Sequence, residues 1–159
     1  MNLFRKHDCN LYSPIDGKCI DILEVSDNVL NIKIIGDGIA VIPEGNTVCS
    51  PADGEIVMIA PTKHAFGISL NSGVELLIHV GIDTVNLKGK GFECLAQVGQ
   101  KVRYGLPVIR FDTEMMKGLG YDMSVMVIVT SGWKDYYIKN SIGKQVKTKD
   151  TIITIGETS

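Results

Sequence analysis

The chain has 159 residues and a formal net charge of −2, with 45% hydrophobic and 21% charged residues. That balance suits one globular domain that buries its own core, and without a basic excess nucleic acid is not the expected partner. None of the four cysteines stands in a CxxC pair, so zinc-ribbon and thioredoxin-type readings lack their spacing. No apolar run approaches the ~18 residues that cross a bilayer, and MNLFRKHDCN has no secretory apolar core. The default expectation is therefore a cytoplasmic protein with no direct membrane insertion.

In chain order, residues 1–12 read as a short leader, with His7 a solvated side chain, and 13–159 as a single domain. Short Val- and Ile-rich runs alternate with Gly, Asn, Asp and Pro: VLNIKII (29–35), EIVMIA (55–60), PVIRFD (107–112) and SVMVIVT (124–130). This rhythm predicts an all-β domain with a turn every several residues. Asp112 is placed to cap a short helix over Thr113–Lys117, ended by Gly118 and Gly120. The stretch SGWKDYYIKNS (131–141) reads as a packing feature.

Two echoes stand out. SPIDGKCIDI (13–22) matches SPADGEIVMI (50–59), and GQKVRYGLPVIRF (99–111) matches GKQVKTKDTIITI (143–155). Repeated turn–strand units predict a duplicated β architecture, two similar halves packed face to face. With no third copy a solenoid is not expected.

HAFGISL (64–70) and VELLIHV (74–80) both read as strands, joined by the hairpin signal NSG (71–73). If Leu70 faces Gly73, His64 lies directly opposite His79. In another register His64 faces Gly81 and His79 is its diagonal neighbour on the same face. The register between these two separates the rings, because side chains alternate faces. Two of the three simplest registers therefore bring both imidazoles together, within about 5 Å between Cβ atoms when directly opposed. Thr62 is placed to bond one ring nitrogen of His64, and Gly81 permits a close approach beside His79.

Two facing imidazoles suit a metal or phosphoryl transfer. Zinc needs further ligands, which Asp37 or Asp83 would have to supply. A neutral imidazole is a nucleophile near pH 7, and a second ring can donate to the transferred group's oxygens. No Walker or kinase motif accompanies the pair, so the donor need not be bound ATP. A zinc hydrolase needs a third ligand and a general base. A biotinyl or lipoyl carrier needs a lysine at a hairpin tip, and Lys117 falls in the predicted helix.

GVELLIHVGIDTV (73–85) closely resembles the active-site signature of glucose-type IIA proteins of the bacterial phosphoenolpyruvate-dependent sugar phosphotransferase system. The likeness extends to SPIDGK, GDGIAVIP (36–43), SPADGEI, PTKHAFGI (61–68) and GFECLAQVGQKV (91–102). The resemblance implies an antiparallel β-sandwich with a duplicated barrel-sandwich hybrid topology. It implies that His79 takes a phosphoryl group on Nε2 from the carrier HPr and passes it to a cysteine of a permease IIB domain. His64 would stabilise the group, Thr62 would orient His64, and a backbone carbonyl near Gly81 would hold the other nitrogen of His79. Asp37 and Asp83 match acidic positions near the site, and Ile39, Val41, Leu77 and Val85 are candidates for an apolar docking face. No cofactor is required. The alternative is a regulatory binding module whose unphosphorylated form inhibits transporters, kinases or other metabolic enzymes, with a zinc shared by His64 and His79. The chain suits a stand-alone IIA or an excised domain, and the resemblance suggests a monomer.

Overall fold

A computed structural model describes residues 9–25, 36–132 and 136–156. The run predicted at 29–35, His7 and Trp133 lie outside the described residues. An eight-stranded sheet has the order β13 (Gln145–Val146), β2 (Gly17–Asp21), β3 (Asp37–Pro43), β11 (Val125–Ser131), β7 (Glu75–Val80), β6 (Ala65–Ser69), β5 (Gly54–Ile59), β9 (Lys101–Val102). Two three-stranded sheets complete the sandwich, β1 (Cys9–Tyr12) with β14 (Thr151–Gly156) and β12 (Tyr136–Lys139), and β4 (Thr47–Cys49) with β10 (Pro107–Phe111) and β8 (Phe92–Cys94). The pairings are antiparallel.

The echoes in the sequence are one hydrogen-bond frame written twice. Ser13 Oγ donates to the Ile15 carbonyl and Ser50 Oγ to the Ala52 carbonyl, both at 2.7 Å. Asp16 Oδ1 accepts from Thr148 N at 2.7 Å, as Asp53 Oδ1 accepts from Tyr104 N at 2.9 Å. Cys19 N donates to the Lys144 carbonyl just as Ile56 N donates to the Gln100 carbonyl, both at 2.9 Å. Even the irregularities repeat, since β1–β14 and β4–β10 each shift register at the end of the shorter strand. The halves meet where Tyr12 N donates to the Pro51 carbonyl and Cys49 N to the Pro14 carbonyl.

The large sheet therefore reads the same from either edge: β13 matches β9, β2 matches β5, β3 matches β6, and β11 matches β7. In this correspondence the β3–β11 pair Gly38–Ile128 answers the β6–β7 pair Ala65–His79. One residue further out, Asp37 answers His64, and Ile128 itself answers His79.

Alternation on the large sheet separates two apolar clusters. The main core takes Ile39 and Val41 from β3, Val125, Val127 and Val129 from β11, and Leu76, Ile78 and Val80 from β7, joined by side chains of both smaller sheets. The opposite face holds a smaller cluster of Ile20, Ala40, Met126 and Ile128, covered by Ile22 of a 3-10 turn at Ile22–Glu24 and by Val25, which caps that turn. β11 is buried on both faces, which explains why it reads as a continuous apolar run without alternation.

Helix α1 (Thr113–Leu119) starts where the sequence predicts, with Asp112 accepting from Met115 N at 3.0 Å. It runs through Gly118 and ends at Gly120, whose φ of 78° is left-handed, a conformation glycine adopts without steric cost. Among the described residues no helix is long and apolar enough to cross a membrane.

Candidate active site

His79 lies on β7, opposite Ala65 on β6 and Met126 on β11. Its face is that of the smaller cluster, on the outer side of the large sheet. Ala65 opposite His79 is the register that strict alternation would use to separate His64 from His79. The rings nevertheless meet, with centroids 4.9 Å apart and planes at 77°. The reason is local: His64 stands just before β6, in the bend after Lys63. Lys63 has a φ of 62°, an uncommon conformation outside glycine. The bend is closed by Lys63 N donating to the Ala60 carbonyl and Ala60 N to the Ala65 carbonyl. The His64 backbone is held to β7 at its carbonyl, which accepts from Val80 N at 2.7 Å. Its side chain is thus outside the pleat and free of its alternation.

His79 Nδ1 lies 2.9 Å from the Gly81 carbonyl oxygen. A carbonyl only accepts, so the proton of the neutral ring sits on Nδ1 and Nε2 keeps its lone pair. Gly81 has a φ of 80° and is packed against Thr84, Met123 and Asp122. Thr84, buried in the 3-10 turn Thr84–Leu87, donates from Oγ1 to the Val80 carbonyl at 2.6 Å. Burial lowers the His79 pKa, while the Gly81 hydrogen bond and the charge of Asp83 act in the opposite sense.

Thr62 Oγ1 is 2.6 Å from His64 Nδ1. When the hydroxyl donates there, the ring proton moves to Nε2 and becomes a donor toward the site. His64 is 9% exposed. Its pKa is also lowered, chiefly by burial and secondly by repulsion from a charged His79. Both rings are therefore mostly neutral at pH 7, one carrying a fixed lone pair.

The other predicted residues divide. Asp83 is exposed at the head of the Thr84–Leu87 turn with a φ of 60°, and its charge reaches His79. Leu77 is half-buried on the His79 face, and Val85 is 49% exposed. Ile39 and Val41 are 0% exposed in the main core, so neither belongs to a docking face. They alternate with Ala40, which takes the outer side. Asp37 stands three residues along β3 from Ala40, about 10 Å at strand spacing. There Asp37 Oδ1 accepts from Gly38 N and lies 3.1 Å from Lys139 Nζ, which also lies 3.1 Å from Asp21 Oδ1.

Sequence reasoning missed Thr84 and the Asp122–Ser124 segment behind Gly81; the D-x-S spacing at 122–124 is a known turn signal that points to the second. It also missed Val57 and Met58, both exposed beside Gly67 at a bulge in β5. Among the described residues no three His, Cys, Asp or Glu side chains group to hold a metal. Two imidazoles alone fall short of a four-coordinate zinc site.

The family model described as phosphoenolpyruvate-dependent sugar phosphotransferase system, EIIA 1, matches residues 9–136. A glucoside-specific EIICBA component of this system from Staphylococcus carnosus is 42% identical over 121 residues, 76% of this chain and 18% of that protein. The chain thus spans less than a fifth of that relative's length. A glucose-specific EIIA component from Haemophilus influenzae is 36% identical over 148 residues, 93% of this chain and 89% of that one. The solved structure of glucose permease IIA from Mycoplasma capricolum superposes with a TM-score of 0.82 at 34% identity, covering 94% of this chain and 96% of the other.

Proposed function

The chain belongs to the EIIA 1 family of the phosphoenolpyruvate-dependent sugar phosphotransferase system, and from that premise we propose a phosphoryl relay centred on His79. The Nε2 lone pair attacks the phosphorus of a phosphohistidine on HPr. A new P–N bond forms as the donor's P–N bond breaks, and the departing imidazole keeps the electron pair. In the second step a thiolate of a permease IIB domain attacks the same phosphorus, and His79 leaves with its lone pair restored. The observation that carries this reading is the 2.9 Å contact between His79 Nδ1 and the Gly81 carbonyl, which leaves Nε2 as the nucleophile.

Attack gives the His79 ring positive charge. The Gly81 carbonyl and the Asp83 carboxylate, both of which favour a positive ring, stabilise it. His64, with Thr62 donating to its Nδ1, offers an Nε2 proton to the phosphoryl oxygens, the electrostatic part of such transfers. No cofactor takes part. Leu77, Val85, Val57 and Met58 supply a shallow apolar rim for partners met in turn, in the cytoplasm where HPr and the IIB domain would be encountered. The relatives' names describe sugar phosphotransferase components and so favour the relay over an inhibitory binding module. A zinc shared by the two histidines would have to draw its remaining ligands from a partner.

The test is incubation with phosphorylated HPr. One phosphate is expected on the peptide containing His79, the label is expected to be acid-labile, and His79→Ala is expected to abolish it. An acid-stable label, or labelling that survives His79→Ala, overturns the proposal.

A further inference from the structure

The carbonyl that fixes the His79 tautomer is itself aimed from another part of the chain. Gly81 N–H donates to the Ser124 carbonyl at 2.9 Å, and Ile82 N–H donates to the Asp122 carbonyl at 2.8 Å. The Gly81–Ile82 peptide is trans, so its C=O points away from its N–H. With the N–H directed at Asp122, the carbonyl oxygen is directed the other way, to His79 Nδ1 at 2.9 Å. Asp122 also fixes its own turn, because Oδ1 accepts from Ser124 N–H at 2.9 Å and from Ser124 Oγ–H at 2.7 Å. Side-chain to backbone closure of this kind sets the direction of the intervening carbonyls. Ser124 is buried, 4% exposed, while Asp122 is exposed, so the two donors are shielded from water and the carboxylate reaches them from the solvent side.

We propose that Asp122 is a positioning residue for phosphoryl acceptance. Its carboxylate holds the 122–124 turn, the turn holds the Gly81–Ile82 peptide, and the peptide keeps the His79 proton on Nδ1. The consequence for transfer rests on the proposed role of His79; the tautomer itself does not.

The experiment is long-range proton–nitrogen NMR of protein labelled at its histidine ring nitrogens, read alongside the initial rate of labelling by phosphorylated HPr. In the unaltered protein the His79 ring should show a protonated Nδ1 and an unprotonated Nε2. Asp122→Ala should move proton density toward Nε2 and slow labelling about five-fold, the worth of roughly one hydrogen bond. Asp122→Asn keeps an oxygen that accepts both Ser124 bonds and should restore spectrum and rate. An unchanged His79 spectrum in Asp122→Ala overturns the proposal, including the case where only thermal stability falls. Failure of Asn to rescue also overturns it, because charge and not the turn would then be responsible. If Asp122→Ala does not fold, Ser124→Ala, which removes the 2.7 Å bond, is read against the same criteria. A shifted tautomer in a protein that HPr does not label sinks the relay and leaves the positioning role standing. Normal labelling with an unmoved tautomer does the reverse.

Discussion

Gly81→Ala strikes a backbone position on which both stability and chemistry converge. At a φ of 80° an added Cβ would stand 2.6 Å from Thr84 Cγ2, 3.0 Å from Met123 Sδ and 3.1 Å from the Asp122 carbonyl oxygen. The left-handed conformation costs a non-glycine residue about 1–2 kcal/mol. Relieving the contacts with a buried methyl and a backbone oxygen costs about 1–3 kcal/mol more. The expected loss is thus roughly 2–5 kcal/mol, against the ~5–15 kcal/mol that typically holds a domain together. The variant should fold and melt roughly 4–20 °C lower, taking about 2–4 °C per kcal/mol at this size. A shift of the residue 81 backbone that relieves the contact moves the carbonyl facing His79 Nδ1, so labelling by phosphorylated HPr should slow as well. Urea unfolding and labelling rates on one preparation check both halves. A loss below about 1 kcal/mol would contradict the packing argument. A large loss with an unchanged labelling rate would contradict the link from Gly81 to His79.

His64→Gln should still accept phosphate on His79 but release it to a IIB domain more slowly, by up to about 10²–10³-fold if one charge-stabilising donor is lost; single-turnover transfer to purified IIB decides this, and an unchanged rate removes His64 from the reaction. Burial holds both imidazoles below their ordinary pKa, so the unfolded chain takes up protons near pH 6.5 before the folded one does. Their contribution to stability is therefore complete above that pH and is lost as pH falls through the folded values. Urea midpoints from pH 8 to 5 should decline, and His64→Gln should flatten part of the decline; a slope identical in the variant refutes it. Ser13→Ala and Ser50→Ala each remove a fully buried 2.7 Å hydrogen bond in corresponding turns. They should cost the same, about 1 kcal/mol, and a difference well beyond that in chemical denaturation would deny the equivalence of the halves.

The duplication was legible because its turns use side chains as structural parts. Ser, Pro, Asp and Gly recur at fixed offsets since each hydroxyl and carboxylate has a backbone group to satisfy. The helix was legible for the same reason at Asp112 and Gly120. Pairing of His64 with His79 was harder to read. The argument from registers assumed that His64 lay within a pleated strand, whereas Lys63 turns the chain immediately before it. Ile39 and Val41, named as docking candidates on the resemblance, lie in the main core; β3 is covered on both faces, so no polar alternation marks its outer side, and Ala40, the small residue between them, is the one turned outward. The D-x-S spacing at 122–124 marks a turn, but it does not say that the turn faces the Gly81–Ile82 peptide some forty residues earlier, just past β7.

The frame repeats, but the rings do not. Where one copy seats His64 and His79, the other seats Asp37 and Ile128 on matching strands. The backbone scaffold is thus compatible with a reactive pair in one berth and an inert filling in the other. Architecture and chemistry are in that sense separable: the berth around residues 37 and 128 is a natural place to ask how few substitutions turn plain sheet into a relay.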